Sequence, residues 1–249
     1  MVGIPEEFNR TNLISLISKK WSVLEIGPFT NPIVRGSNVK YVDVLDKAGG
    51  LLERARRIGY TFNNATDIHY VSPTGDLSIV RNTFDICISS HCVEHQPDLI
   101  HHLKQIERIL NPGGRYFLIF PDKRYCFDHF IPTIADILDA QGHRVHSLRS
   151  VIEHRAMTTH NEPHRHWIGD HGAPAMAFDI NVVKSAITEY ENADGGYIDV
   201  HAWQFTPASF SLNVELLSQF GMTNLRVEKA YSTPYNSLEF CAILRIRQI

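Results

Sequence analysis

The chain reads as an α/β protein, a mostly parallel sheet with helices on both faces, and three observations carry that reading. Apolar runs alternate with amphipathic helical stretches along the first half of the chain. Those runs, such as residues 21–26 and 84–89, are mostly apolar without a strict polar alternation, as strands covered on both faces are. Finally, Val23-Leu24-Glu25-Ile26-Gly27 is followed sixteen positions later by Asp43, in Lys40-Tyr41-Val42-Asp43-Val44. In an open α/β sheet this spacing sets a tight turn over the first strand and an acid at the tip of the second. Such an acid can accept both hydroxyls of a ribose, so the spacing points to an adenosine-containing cofactor.

Residues 6–18 carry Phe8, Leu13, Leu16 and Ile17 at helical spacing. Strands follow at 21–26 and 39–44. Residues 48–58 form a basic helix with Leu51, Leu52, Ala55 and Ile58 on its apolar side. After a strand at 84–89 comes a helix at 97–110, with Leu99, Leu103, Ile106 and Leu110 on one face and Asn111-Pro112-Gly113-Gly114 as its stop. A strand at 115–120 ends at Pro121. The α/β rhythm then breaks from about 122 to 199. It resumes at Thr206-Pro207, an N-cap and first-turn proline that open a helix running to Phe220 and stopping at Gly221. Strands at 225–231 and 238–246, joined through Pro234 and Asn236, read as an antiparallel hairpin. There is no internal repeat.

The 249 residues are 43% hydrophobic, which supports a full core and argues against disorder. Lys plus Arg is 24 and Asp plus Glu 27, a formal net charge of −3, so no basic excess points to nucleic acid. No apolar run is long enough to span a bilayer. The N-terminus carries Glu6 and Glu7 and no apolar stretch, so a secretory signal is not expected there. The four cysteines form no CxxC pair, and Cys87 and Cys241, in apolar runs, read as buried thiols. A reducing cytoplasm fits. Fourteen histidines are the compositional outlier, and seven of them fall between His143 and His171. That bias marks 122–199 as a segment with a separate task.

The order of elements and the local wording resemble the class I S-adenosylmethionine-dependent methyltransferases, over about 21–121 and again over about 202–247. Val23-Leu24-Glu25-Ile26-Gly27 resembles that family's first motif, and Asp43 its strand-2 acid. Ala65-Thr66-Asp67-Ile68 is similar to the segment that flanks the adenine. Phe84-Asp85-Ile86-Cys87-Ile88-Ser89-Ser90-His91-Cys92-Val93-Glu94-His95 resembles the fourth motif, and Leu110-Asn111-Pro112-Gly113-Gly114-Arg115 the turn before strand 5. The sequence departs from the family at Gly27-Pro28-Phe29-Thr30-Asn31-Pro32, where two of three usual glycines are missing. A cofactor without phosphate needs less backbone cradling than a dinucleotide.

The resemblance implies a Rossmann-like seven-stranded, mostly parallel sheet with an antiparallel last hairpin. Residues 1–121 and 200–249 would form the core, and 122–199 a cap inserted after strand 5. It implies S-adenosylmethionine as cofactor, with Glu25, Gly27, Pro28, Asp43, Thr66, Asp67, Ile68, Ser89 and Ser90 in its site. The acceptor would be a small molecule or carbohydrate, methylated at a hydroxyl. A neutral histidine suits the proton removal that a hydroxyl needs, and the candidates are His91, His129, His164, His166 and His201. His95, opening a helix, reads as structural. Tyr197, Trp167 and Trp203 could line an aromatic face, with core packing the default. His160, His164, His166, Asp170 and His171 could hold a divalent metal, provided that the two histidines of His164-Arg165-His166 lie on extended backbone. Two other classes stand beside this reading: a methyltransferase-like domain without catalysis, and a nicotinamide-dependent oxidoreductase. The second needs a glycine-rich phosphate turn that the residues after Gly27 do not supply.

Overall fold

A computed structural model describes residue 7 and residues 10–46, 50–57, 59, 66–126, 132–172 and 179–247. Seven strands form one sheet: β1 Val23–Ile26, β2 Val39–Asp43, β3 Tyr70–Val71, β4 Phe84–Ser90, β5 Leu110–Pro121, β6 Leu225–Ala230 and β7 Glu239–Ile246. Their order is β3-β2-β1-β4-β5-β7-β6. The first five run parallel, and β7 lies antiparallel to both β5 and β6. The chain works outward from β1 in one direction and from β4 in the other. A crevice therefore opens at the carboxyl ends of β1 and β4, where such sheets bind ligands.

The mostly apolar strands have a direct cause. Side chains of successive residues leave opposite faces of a strand, and both faces here are covered. Leu24, Cys87, Leu118, Phe120 and Ala242 meet α3 (Leu99–Ile109) and α8 (Pro207–Gln219) through Leu103, Ile106, Phe210 and Val214. Val23, Ile86, Ile88, Phe117, Cys241 and Ile243 pack on the other face with Leu13 of α1 (Arg10–Ser15). The thiols of Cys87 and Cys241 are buried and free.

The expected caps are present. Thr206 accepts from the Ser209 N–H, Pro207 opens α8, and Phe220 caps it before Gly221 at φ +70°. Asp98 caps α3 through the His101 N–H. Of the basic helix, residues 52–57 are helical (α2, Leu52–Arg57). Two details depart from the sequence reading. The stop after α3 belongs to β5, which begins at Leu110, with Gly113 at φ +79° and a register shift against β4 between Phe84 and Ile86. And the seventh strand, β3, is two residues long, too short to leave a periodic signal.

Among the described residues, the segment after β5 carries four helices, α4 Ile134–Asp139, α5 Leu148–Ala156, α6 Pro163–Trp167 and α7 Ile180–Asn192. Val151 of α5 and Ala186 of α7 share a small core with Ile198 and Val200. Arg155 clamps Glu189 across the same pair with two bonds of 2.9 Å. Among the described residues, no helix is long and apolar enough to cross a membrane.

Candidate active site

A cavity of about 740 Å³ opens at the crevice between β1 and β4. Its floor is the turn after β1. Gly27 sits at φ +65°, and a Cβ there would overlap the Cys92 sulfur. Phe29, two residues on, holds φ +48°, a conformation that side chains rarely adopt. The strain is met by a bond, because the Phe29 N–H donates to Asp43 Oδ2 at 3.0 Å. The Val44 N–H donates to Oδ1 at 2.7 Å. Burial raises the Asp43 carboxyl, opposed by these two N–H groups and by Arg54. Glu25 holds the far end of the same turn: Oε1 accepts from the Ile33 N–H at 2.7 Å and Oε2 from the Val34 N–H at 3.0 Å. Burial nonetheless pushes its carboxyl up to about 7.

The opposite wall follows β4. Ser89 and Ser90 are neighbours on a strand, so they leave opposite faces. Ser90 lines the cavity and accepts from Arg10 at 3.1 Å. Ser89 is turned into the core, where its hydroxyl meets that of Tyr116 at 2.7 Å. His91 follows at φ +53° and lines the cavity. Its Nε2 lies 3.1 Å from Glu239 Oε2, and its Nδ1 lies 3.4 Å from Glu94 Oε1. Burial works against its charge, but Glu239 and Glu94 outweigh burial and raise it to about 9. The two carboxylates thus favour the protonated form of His91.

His95 lines the cavity on the 3-10 turn Val93–His95, with Nδ1 3.0 Å from Asp199 Oδ1. Asp199 also pairs with Arg54. Burial opposes its charge, but His95 and Arg54 hold the carboxyl well below the usual range. Tyr197 stands beside it and lines the same cavity. The end of the inserted segment thereby reaches the crevice at the carboxyl ends of β1 and β4.

The other expected site residues lie elsewhere. Thr66, Asp67 and Ile68 lead into β3 and do not line the cavity, and Ile68 packs towards the core beneath β2. His201 sits behind His95, ring centroids 4.6 Å apart. His164 and His166 are on helix α6, not on extended backbone, so their side chains diverge. His164 is 64% exposed. His166 bonds the His160 carbonyl at 3.0 Å and meets His171 at 3.1 Å, lining a separate cavity of about 470 Å³. The condition for a shared metal at His164 and His166 is therefore not met. His129 lies outside the described residues. Trp203 is buried, its Nε1 donating to the Gln96 carbonyl, and Trp167 stacks on Tyr125 at 3.9 Å. Arg10, Arg54, Glu94 and Asp199 were not legible as site residues. Arg10 meets Glu239 across 229 positions, a separation at which sequence spacing carries no signal.

Residues 27–118 match the family model of a methyltransferase domain. No curated protein matches the chain. Among solved structures the chain is similar to the mitomycin 7-O-methyltransferase MmcR, at 10% identity over 90% of this chain and 48% of that one, TM-score 0.40. It is similar to the CcbJ methyltransferase from Streptomyces caelestis, at 12% identity over 99% and 92%, TM-score 0.48. A SAM-dependent methyltransferase from Aquifex aeolicus gives 11% identity over 97% and 92%, TM-score 0.46. The chain spans about half the length of the first of these. Likenesses this distant carry no argument of their own. The matched methyltransferase-domain model covers residues 27–118, and the strand order with its antiparallel β7 is the Rossmann-like arrangement expected from the sequence.

Proposed function

We propose that this protein transfers the methyl group of S-adenosylmethionine to a hydroxyl of a small-molecule or carbohydrate acceptor, and that residues 122–199 are the cap that shapes the acceptor site. One observation carries the reading. A single cavity joins the Gly27 turn and Asp43, on the core, to Tyr197 and Asp199, at the end of the inserted segment, with His91 and His95 between them. Gly27, Pro28 and Phe29 would carry the cofactor on backbone, and Asp43 would take the ribose hydroxyls. The residues fit that task, since Oδ2 of Asp43 accepts the Phe29 N–H and Oδ1 the Val44 N–H, and a carboxylate with about four acceptor sites has room for ribose hydroxyls besides. Bound, the cofactor supplies an electrophilic methyl group. The chain must align the acceptor and see its proton removed. The His95–Asp199 pair, an imidazole set by a carboxylate, stands on the acceptor side of the cavity.

Calorimetry with S-adenosylhomocysteine and with a nicotinamide dinucleotide tests the cofactor. The first is expected to bind and the second not. Asp43→Ala should weaken the first by one to two decades, because it removes charge-assisted bonds worth about 1.5–3 kcal/mol. An unchanged dissociation constant in the folded variant would take Asp43 out of the site. Incubating the protein with S-adenosylmethionine and a panel of sugars and phenols should give products heavier by one CH2. No such product from any hydroxyl acceptor, with the cofactor bound, would sink the hydroxyl reading.

The cap has its own test. Replacing residues 148–192, the α5–α7 unit, with a short Gly-Ser linker should abolish turnover and leave S-adenosylhomocysteine affinity close to that of the intact chain. A shortened, folded protein that binds no cofactor would refute this division of labour.

A further inference from the structure

We propose that Glu94, His95 and His201 together bind one divalent transition-metal ion, of the Zn²⁺ class, at the edge of the cofactor cavity. Each of the three offers one ligand atom, and those atoms lie within 4.8 Å of one another. The second observation is independent of that grouping. Glu94 is 1% exposed, yet no hydrogen bond reaches either of its carboxylate oxygens. A buried carboxylate is rarely left so, because the ionised group needs a partner to replace the water it has lost. His91 Nδ1 stands at ion-pair distance, 3.4 Å, from Oε1 alone.

The chain builds this grouping from two distant segments. The Glu94 carbonyl accepts from the N–H groups of Ala202 at 2.7 Å and Trp203 at 3.3 Å, and the Trp203 indole donates to the Gln96 carbonyl. The turn after β4 and the loop before α8 are thereby fastened together, which brings His201 to Glu94 and His95. Behind His201, its own N–H donates to His154 Nδ1 at 3.2 Å. Behind His95 stands Asp199, 3.0 Å from Nδ1. A carboxylate behind an imidazole is the arrangement that fixes the tautomer and orientation of a metal-ligating histidine.

Two imidazoles and one carboxylate suit Zn²⁺ and its first-row neighbours better than Mg²⁺, which prefers oxygen and keeps its waters. Three protein ligands leave a position open, as catalytic zinc sites do. His95 lines the cavity, so an ion held here borders the acceptor space. What the ion does rests on the methyl-transfer reading; where it sits rests on the donor set alone. A cation at this place would acidify an acceptor hydroxyl. Its proton then leaves to water, the freed oxygen pair forms the bond to the methyl carbon, and sulfur keeps the electrons of the broken S–C bond.

The test is metal uptake by the whole chain after exhaustive chelation, read by calorimetry with Zn²⁺ and by visible absorption with Co²⁺. One equivalent of either ion is expected, with Co²⁺ giving the ligand-field bands of a nitrogen-containing, low-coordinate site. Glu94→Gln and, separately, His201→Gln should each weaken uptake by about 100-fold or more, with far-ultraviolet circular dichroism and S-adenosylhomocysteine affinity preserved. Absence of uptake by the folded wild-type chain would overturn the proposal, and so would unchanged uptake in both folded variants. Metal uptake that depends on Glu94 in a protein that binds no cofactor would sustain the metal site and count against methyl transfer.

Discussion

Gly27→Ala is expected to lower S-adenosylhomocysteine affinity by at least about two decades, the largest single effect in the cofactor site. Two causes act at one atom. At φ +65° any L side chain carries a penalty of roughly 1–2 kcal/mol. The added Cβ would also overlap the Cys92 sulfur. That sulfur cannot step aside cheaply, since Cys92 lies two residues past the end of β4 and its sulfur is 3.3 Å from the carbonyl oxygens of both Ile26 and Ser90. The turn must therefore move, and with it Phe29, whose N–H fixes Asp43. The causes separate in a double-mutant cycle. Cys92→Ala alone should be mild, and Gly27→Ala with Cys92→Ala should recover the steric part and keep the dihedral part. Near-normal affinity in folded Gly27→Ala would show that the turn does not carry the cofactor.

The same turn shows what was legible in the sequence and what was not. Strands buried on both faces announce themselves as mostly apolar runs, and β1, β4 and β7 were found by that signal, whereas β6 carries Arg226, Glu228 and Lys229 and is half-buried. The caps of α8 were readable because their chemistry is local, within three residues of Thr206. Gly27 and Asp43 were readable from a spacing that the fold imposes. What failed to show depends on contacts that sequence spacing does not encode. Ser89 and Ser90 look alike in sequence and are separated only by strand parity, one facing Tyr116 and the other Arg10. His164 and His166 looked like a pair and are split by one short helix opened by Pro163. The proposed metal site draws instead on His95 and His201. Two hydrogen bonds to the Glu94 carbonyl draw their segments together across more than a hundred residues.

Glu25 is expected to contribute stability that is lost as pH rises from about 4.5 to 7. Buried His102 and His146, whose imidazoles burial lowers to about 3 and about 4, contribute in the opposite sense over this range, so the Glu25 contribution is read as a difference between wild type and variant. The Glu25 carboxyl is 2% exposed, and burial raises it from 4.5 to about 7 in the folded chain. The Val34 and Ile33 N–H groups, Arg35 and Arg10 all favour the charged form, but burial outweighs them. A folded pKa above the unfolded one means that the native state holds the proton more tightly. This contribution is therefore complete below about 4.5 and is lost as pH climbs through 7, with a span of about 3 kcal/mol. Glu239, held down to about 2 by His91 and Arg10 against burial, titrates below this window. Asp43 is also raised by burial, so the wild-type slope alone does not isolate Glu25. Glu25→Gln does. Its amide can accept from only one of the Ile33 and Val34 N–H groups, so overall stability should drop by about 1–3 kcal/mol. Nothing at that position then titrates. Urea unfolding at closely spaced pH values should give a gap between wild type and variant that narrows from 4.5 to 7, the two curves closest at the alkaline end. Parallel curves would mean that Glu25 stays ionised throughout, and that the loop N–H groups outweigh burial.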